Sequence, residues 1–230
     1  MIGIICAMKI EVDGLKELME NPEITKKAGL EYTSGKIFDK DVVLLECGIG
    51  KVNAAVGTQI MIDLFKPDVI INSGIAGSLS KKLIVGDIVI SEDCVEHDMN
   101  IEALNEPRGQ ISFTDEKRVD IPADKATVDK LYECCQGLGS HVRIGRIATG
   151  DMFVSVIGQR EFIAHEFGAL CCEMEGGAVG HVCYMNKVPF AILRSISDDL
   201  KFNKGTDFEQ FSALAADRAV KAMKKFIQMD

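Results

Sequence analysis

The sequence predicts an α/β fold built as one domain over residues 1–230, and three observations carry that expectation. Short apolar runs of strand length alternate with stretches of helical periodicity along the whole chain. Runs such as Ile2–Ala7 and Val188–Ile196 are apolar without alternation, as in strands covered on both faces. Several of these runs stop abruptly at glycines or carboxylates, and the carboxyl ends of strands are where α/β folds bind ligands. A chain of 230 residues with 47% hydrophobic content can bury a substantial core. It contains no internal repeat, low-complexity tract or linker that would divide it.

Taken in order, the strand Ile2–Ala7 is followed by a helical pattern over Met8–Glu20, with Val12, Leu15 and Met19 on one face. Glu11 falls in the first turn of that helix, where the dipole favours a negative charge. Glu31–Phe38 and Asp41–Glu46 read as a hairpin closed at Asp39–Lys40. The second strand runs into Cys47-Gly-Ile-Gly-Lys51 and a helix with Val52, Ala55, Val56 and Ile60 on one face. GIGK lacks the spacing of a nucleotide-triphosphate loop, so a tight strand-to-helix turn is expected, with helix amides free for a polar ligand.

Asp68–Asn72 is a buried strand, followed by a second glycine-rich turn at Ser73–Gly77. Val85–Ser91 is the next strand, and Asp93–Thr114 reads as a long irregular segment of the kind that forms lids or interfaces. A helix over Ala123–Gln136 and a strand over His141–Ala148 precede Thr149-Gly-Asp-Met-Phe153. Phe153 stands at a strand mouth in a chain without tryptophan, placed either to stack on a flat heterocycle or to pack in the core. Gly158–Phe167 is expected to be helical.

The stretch Ala169–Val182, ALCCEMEGGAVGHV, is the most informative. Its apolar run ends in Glu173-Met174-Glu175 and two glycines, then resumes as a helix. Carboxylates at a buried strand end are costly unless paired or hydrogen-bonded. Val188–Ile196 repeats the situation, with Arg194 inside an apolar strand and Ser197-Asp198 closing it. A guanidinium there requires an anionic partner, because it does not deprotonate. Asp207–Met229 reads as an amphipathic helix carrying Phe208, Phe211, Ala215, Ala219, Ala222 and Phe226 on one face.

The net charge of −9 and the lack of a basic run argue against nucleic-acid and anionic-membrane partners. No basic leader precedes the first strand and no apolar run approaches the roughly 18 residues of a membrane span, so a cytoplasmic protein is expected. The eight cysteines lie mostly in apolar segments without a CxxC pair, which predicts buried thiols. His181 and Cys183 have no further ligands at metal-site spacing.

Four pieces stand together: Ala7-Met8-x-x-Glu11, Asn72-Ser-Gly-Ile-Ala-Gly77, Glu173-Met-Glu175 and Arg194-Ser-Ile-Ser-Asp198. With GIGKVNAA, VGDIV, HD, TGDMF, HVC and NKVPF, they make the chain resemble the nucleoside phosphorylase/nucleosidase superfamily over nearly its full length. Within it, the chain is most similar to the bacterial 5′-methylthioadenosine/S-adenosylhomocysteine nucleosidases. EME and ISD occur across the superfamily, whereas the AMxxE opening resembles the hydrolase branch.

The resemblance implies a three-layer α/β sandwich with a mixed central sheet flanked by helices, in a homodimer that binds a small nucleoside. It makes Glu11 the base that activates water and Asp198 the acid that protonates the leaving adenine. It gives Glu175 the ribose hydroxyls, places Met174 beneath the sugar, and has Arg194 order the carboxylates on the water side. Phe153 would stack on adenine and the backbone of Val154 would bond its edge. Met8, Ile49 and Phe208 would line the alkylthio pocket, with Ile101 reaching across from the partner subunit. Ile75, Ala76, Gly77 and Ser197 complete the substrate-binding set.

The chemistry fits these residue types. Breaking a glycosidic bond through an oxocarbenium-like state takes an acid for the leaving group and a base for water. A nearby anion such as Glu175 stabilises the ribosyl cation. No metal or cofactor is called for. The chain departs from the family at Ile75, where a small hydroxyl residue usually helps hold the water. Lys9-Ile10 replaces an acidic pair, Asn100 replaces an aspartate, and Gly176-Gly177 replaces a more alanine-rich helix start. The alternatives are a purine nucleoside phosphorylase, a futalosine-type hydrolase, or a catalytically weak nucleoside-binding protein.

Overall fold

In the computed structural model the described residues are 1–198 and 207–229, the side chains of 207–209 excepted. The chain opens with β1 (Ile2–Cys6), α1 (Lys9–Lys16), β2 (Glu20–Lys27), β3 (Leu30–Ile37), β4 (Lys40–Glu46) and α2 (Lys51–Phe65). It continues through β5 (Val69–Ser78), β6 (Ile88–Glu96), a 3-10 turn at Glu102–Leu104, β7 (Ile111–Ser112), β8 (Lys117–Arg118) and β9 (Asp120–Pro122). Then come α3 (Lys125–Cys135), β10 (Val142–Thr149), α4 (Ile157–Phe167), β11 (Cys171–Glu173), α5 (Gly176–Asn186), β12 (Phe190–Asp198) and α6 (Asp207–Met229).

Ten strands form one mixed sheet in the order β11-β10-β6-β12-β5-β1-β4-β3-β2, with β9 paired to β6. β1 runs parallel to β4 and β5, and β12 runs parallel to β5 but antiparallel to β6. β11 lies parallel to β10 and also pairs antiparallel with β5, so one end of the sheet closes on itself. The mixed sheet between helical layers agrees with the expected α/β sandwich.

The unbroken apolar runs serve both faces, as period-2 geometry requires. Ile4, Leu44 and Ile71 pack with Val12 and Leu15 of α1, Leu131 of α3 and Phe226 of α6. Their neighbours Ile5, Leu45 and Ile70 point the other way, against Ala54 and Met61 of α2 and Val179 and Cys183 of α5. All eight cysteines are free and buried, as anticipated.

The structure corrects four expectations. The first helix ends at Lys16 rather than Glu20, and Glu20–Lys27 is an edge strand antiparallel to β3. Its residues are nearly all exposed and include Pro22, so it carries no apolar alternation by which to recognise it. On α2 the buried face is Ala54, Gly57, Thr58 and Met61; Val52 and Val56 are 72% and 40% exposed. Gly57 explains the rotation, because a Cβ there would stand 2.5 Å from Leu45 Cδ2, so only the small-residue face can approach the sheet this closely. Ser73–Gly77 continues β5 as strand rather than turning. β6 starts at Ile88, not Val85, and runs to Glu96, into the segment expected to be irregular from Asp93.

Candidate active site

The carboxyl ends of β1, β5, β11 and β12 converge on a cavity of about 220 Å³. Its lining includes Met8, Glu11, Ile49, Phe153, Met174 and Glu175. Ile75, Ala76 and Gly77 come from β5, and Ser197 and Asp198 from the end of β12. The β12–β5 register slips between Ile196 and Asp198, setting Asp198 opposite Gly77. The bulge lets two successive residues, Ser197 and Asp198, both face the cavity, which regular alternation would forbid. A smaller recess of about 30 Å³ adjoins it, lined by Val154, Arg160 and Asp198 among others. A larger cleft of about 710 Å³ around Phe113, His181 and Tyr184 lies among other residues and gathers none of these carboxylates.

Glu11 is the third residue of α1 and is buried. Its Oε2 accepts from the amides of Ala7 and Met8 at 3.0 and 2.8 Å, and its Oε1 accepts from the Ile75 amide at 3.0 Å. Met8 is the N-cap residue of α1, whose amide a helix start leaves unpaired. Burial pushes the Glu11 carboxyl up from its ordinary value, against the pull of Arg194 and these amides. Gly74 makes the arrangement possible, since a Cβ there would stand 2.6 Å from Glu11 Oε1.

Glu173, at the end of β11, is the hub of the second cluster. Its Oε2 accepts from Arg194 and from the amides of Glu175 and Gly176 at 3.0 and 2.6 Å, and its Oε1 accepts from Thr149 Oγ1. Arg194 also donates to the Asn72 side chain and to the carbonyls of Asn72 and Leu193. Its direct anionic partner is therefore Glu173, while Glu11 and Glu175 feel its charge without an ion pair to it. Glu175 caps α5 and accepts from the Gly50 amide at 2.8 Å. Burial, and next the charge on Glu173, push the Glu175 carboxyl up to about 7.

Among the described residues, Asp198 is held by two donors. Its Oδ1 accepts from Ser197 Oγ at 3.0 Å, and its Oδ2 pairs with the guanidinium of Arg160 on α4. The amides opening α2 serve the protein's own carboxylates, Gly50 to Glu175 and Lys51 to Asp151. The Lys51 side chain ties Glu96 to Asp98. His181 pairs with Glu96 through Nδ1.

Of the residues expected at the site, Arg194 lies behind the cavity wall rather than in it, and Ile101 sits on the half-buried approach to the 3-10 turn, away from the cavity lining. The Phe208 side chain falls outside the described residues. The others named line the cavity or its recess. Arg160 was missed, and Glu173 and Thr149, though both stand in motifs the sequence singled out, were given no role. A cation in the first turn of a helix, where the dipole disfavours it, was the available signal for Arg160.

The sequence profile of the phosphorylase superfamily matches residues 1–228. The 5′-methylthioadenosine/S-adenosylhomocysteine nucleosidase of Geobacillus kaustophilus is 41% identical over 216 residues, 93% of this chain and 91% of that one. The nucleosidase of the same name from Neisseria meningitidis, solved in complex with methylthio-immucillin-A, has a TM-score of 0.93 at 31% identity, covering 100% of this chain and 99% of that one. Futalosine hydrolase of Helicobacter pylori has a TM-score of 0.91 at 31% identity, covering 100% and 97%. The backbone alone therefore does not separate the two hydrolases, whereas the sequence match to the nucleosidase is closer. The chain belongs to the phosphorylase superfamily and, within it, to the 5′-methylthioadenosine/S-adenosylhomocysteine nucleosidases.

Proposed function

We propose that the protein hydrolyses the N-glycosidic bond of 5′-methylthioadenosine and S-adenosylhomocysteine, releasing adenine and the 5-thioribose product. The observation that carries this reading is the pairing of Glu11 and Asp198 across one cavity whose lining, among the described residues, holds carboxylates and no lysine or arginine. An acid at the end of β12 and a base in the first turn of α1 suit attack by water, and such a lining repels a phosphate dianion.

Glu11, held by three amides, takes the proton of the attacking water. Asp198 delivers a proton to the purine as the bond to the sugar breaks, and Glu175 binds the ribose hydroxyls while its charge stabilises the developing cation. Phe153, 56% exposed at the cavity rim, stacks on the base, and the Val154 backbone reads its edge. Met8 and Ile49 accept the alkylthio group. Residues 1–230 act as one catalytic unit, in the cytoplasm, with methionine salvage as the route served.

The active form is a homodimer. Val52 and Val56 on α2 are exposed, as are Ile49 and Phe153 at the cavity rim, and a second copy covers this apolar surface while its Ile101 reaches the pocket. Adenine release from methylthioadenosine, S-adenosylhomocysteine and 5′-deoxyadenosine tests the assignment. The first two are expected to turn over, and failure of both refutes it.

A further inference from the structure

Arg160 occupies a position that packing alone does not explain. It is 4% exposed in the first turn of α4, where the helix dipole disfavours a cation. Burying a guanidinium is costly, and the helix offers it no acidic neighbour in that turn. Its side chain instead leaves the helix and joins two separate pieces of the cavity. Nε donates to the Val154 carbonyl at 2.9 Å, and one terminal nitrogen pairs with Asp198 Oδ2. The other terminal nitrogen is 3.5 Å from the Ser78 carbonyl.

We propose that Arg160 is the positioning residue of the leaving-group acid: it locks the Asp198 carboxylate and the Val154 backbone into one arrangement matched to the edge of the purine. This rests on reading Asp198 as the acid. With Ser197 Oγ on Oδ1 and Arg160 on Oδ2, the plane of the carboxyl group is set from both sides. The same guanidinium stabilises what the reaction produces. As the bond from the anomeric carbon to the purine breaks, its electron pair stays on the base, the Asp198 proton moves to a ring nitrogen, and the carboxylate left behind is already paired. Water supplies the hydroxyl to the sugar, and its proton passes through Glu11 to solvent, from which Asp198 is reprotonated.

Other groups facing Asp198 do not replace Arg160. Cys172 and Glu173 approach from β11 and Glu175 from the cap of α5, while β5 presents Gly77 and Ser78. Burial pushes the Cys172 thiol up to about 12, so it stays neutral, and Glu173 is engaged by Arg194. Among the described residues, Arg160 is the cation paired with the acid.

The test is the pH profile of kcat for Arg160→Met and Arg160→Lys on methylthioadenosine, with circular dichroism confirming the fold. Losing the paired cation should move the basic limb up by about one unit or more in the Met variant. Its kcat should fall by about tenfold to a hundredfold, less than the whole contribution of a proton donor. Arg160→Lys keeps the limb in place but cannot hold both partners, so its kcat falls by about three- to tenfold. An unmoved limb in the Met variant, or a Lys variant with unchanged kcat, overturns the proposal. If Arg160→Met does not fold, the Lys variant alone decides. Asp198→Asn run alongside separates the two readings. It should lower adenine release by about a hundredfold or more while nucleoside binding survives, and activity within about tenfold of the parent rejects Asp198 as the acid itself.

Discussion

Gly74 and Glu11 stand so close that a single added methyl group would occupy the place of the carboxylate, 2.6 Å from Oε1. Gly74→Ala should therefore push Glu11 off its amide cradle while leaving β5 in the sheet. Adenine release is expected to fall by about a hundredfold, as for loss of a general base, with little change in the urea midpoint. Steady-state kinetics beside urea unfolding check this. A variant as active as the parent means that Glu11 is not held where the reaction needs it.

Glu173 and Arg194 form an ion pair buried on both sides. Removing one charge strands the other, at a cost of about 3–5 kcal/mol. Glu173→Gln keeps an oxygen for the amides of Glu175 and Gly176, so the low end applies, and the melting temperature should drop by about 6–12 °C. Calorimetry measures it. A drop below about 2 °C contradicts the pairing.

Glu175 makes stability depend on pH in a stated direction. Its carboxyl is raised from 4.5 to about 7, so between those values the folded state binds more protons than the unfolded one. Stability then falls as pH rises through this window, by up to about 3 kcal/mol, and the burial of Glu11 adds to the same trend. Glu175→Gln should flatten this part of the curve and make the protein more stable at pH 8. Urea midpoints for both proteins between pH 5 and 8 test it, and parallel curves refute it.

Val52 and Val56 are turned outward on α2, and a charge there should break the dimer without disturbing the monomer's core. Sedimentation is expected to give twice the chain mass of 25.1 kDa for the parent and a monomer with reduced turnover for Val52→Glu. A fully active monomeric parent at micromolar concentration would exclude the dimer.

What could be read from sequence was the part written in interruptions. Glu173, Glu175 and Asp198 end apolar runs and Arg194 interrupts one, and all four gather around the cavity or its wall. What could not be read was written in contacts distant along the chain or in residues with weak signals. The close packing of α2 is decided by Gly57 and Ala54, which are too small to stand out as an apolar stripe, so the larger Val52 and Val56 suggested the wrong face. β2 is a polar edge strand with no buried stripe. Arg160 and Asp198 lie 38 positions apart and meet only in the fold, and Glu173 reads as one of two carboxylates until its four donors, Arg194, Thr149 and the amides of Glu175 and Gly176, are in place.

The most direct measurement identifies the sugar released from methylthioadenosine in phosphate buffer. A cavity lined by Glu11, Glu173, Glu175 and Asp198 opposes a phosphate dianion, so water should be the nucleophile. The expected product is free 5-methylthioribose, formed at a rate that neither phosphate nor arsenate changes. A sugar 1-phosphate, or a rate that rises with phosphate, would contradict the account and make this chain a phosphorylase.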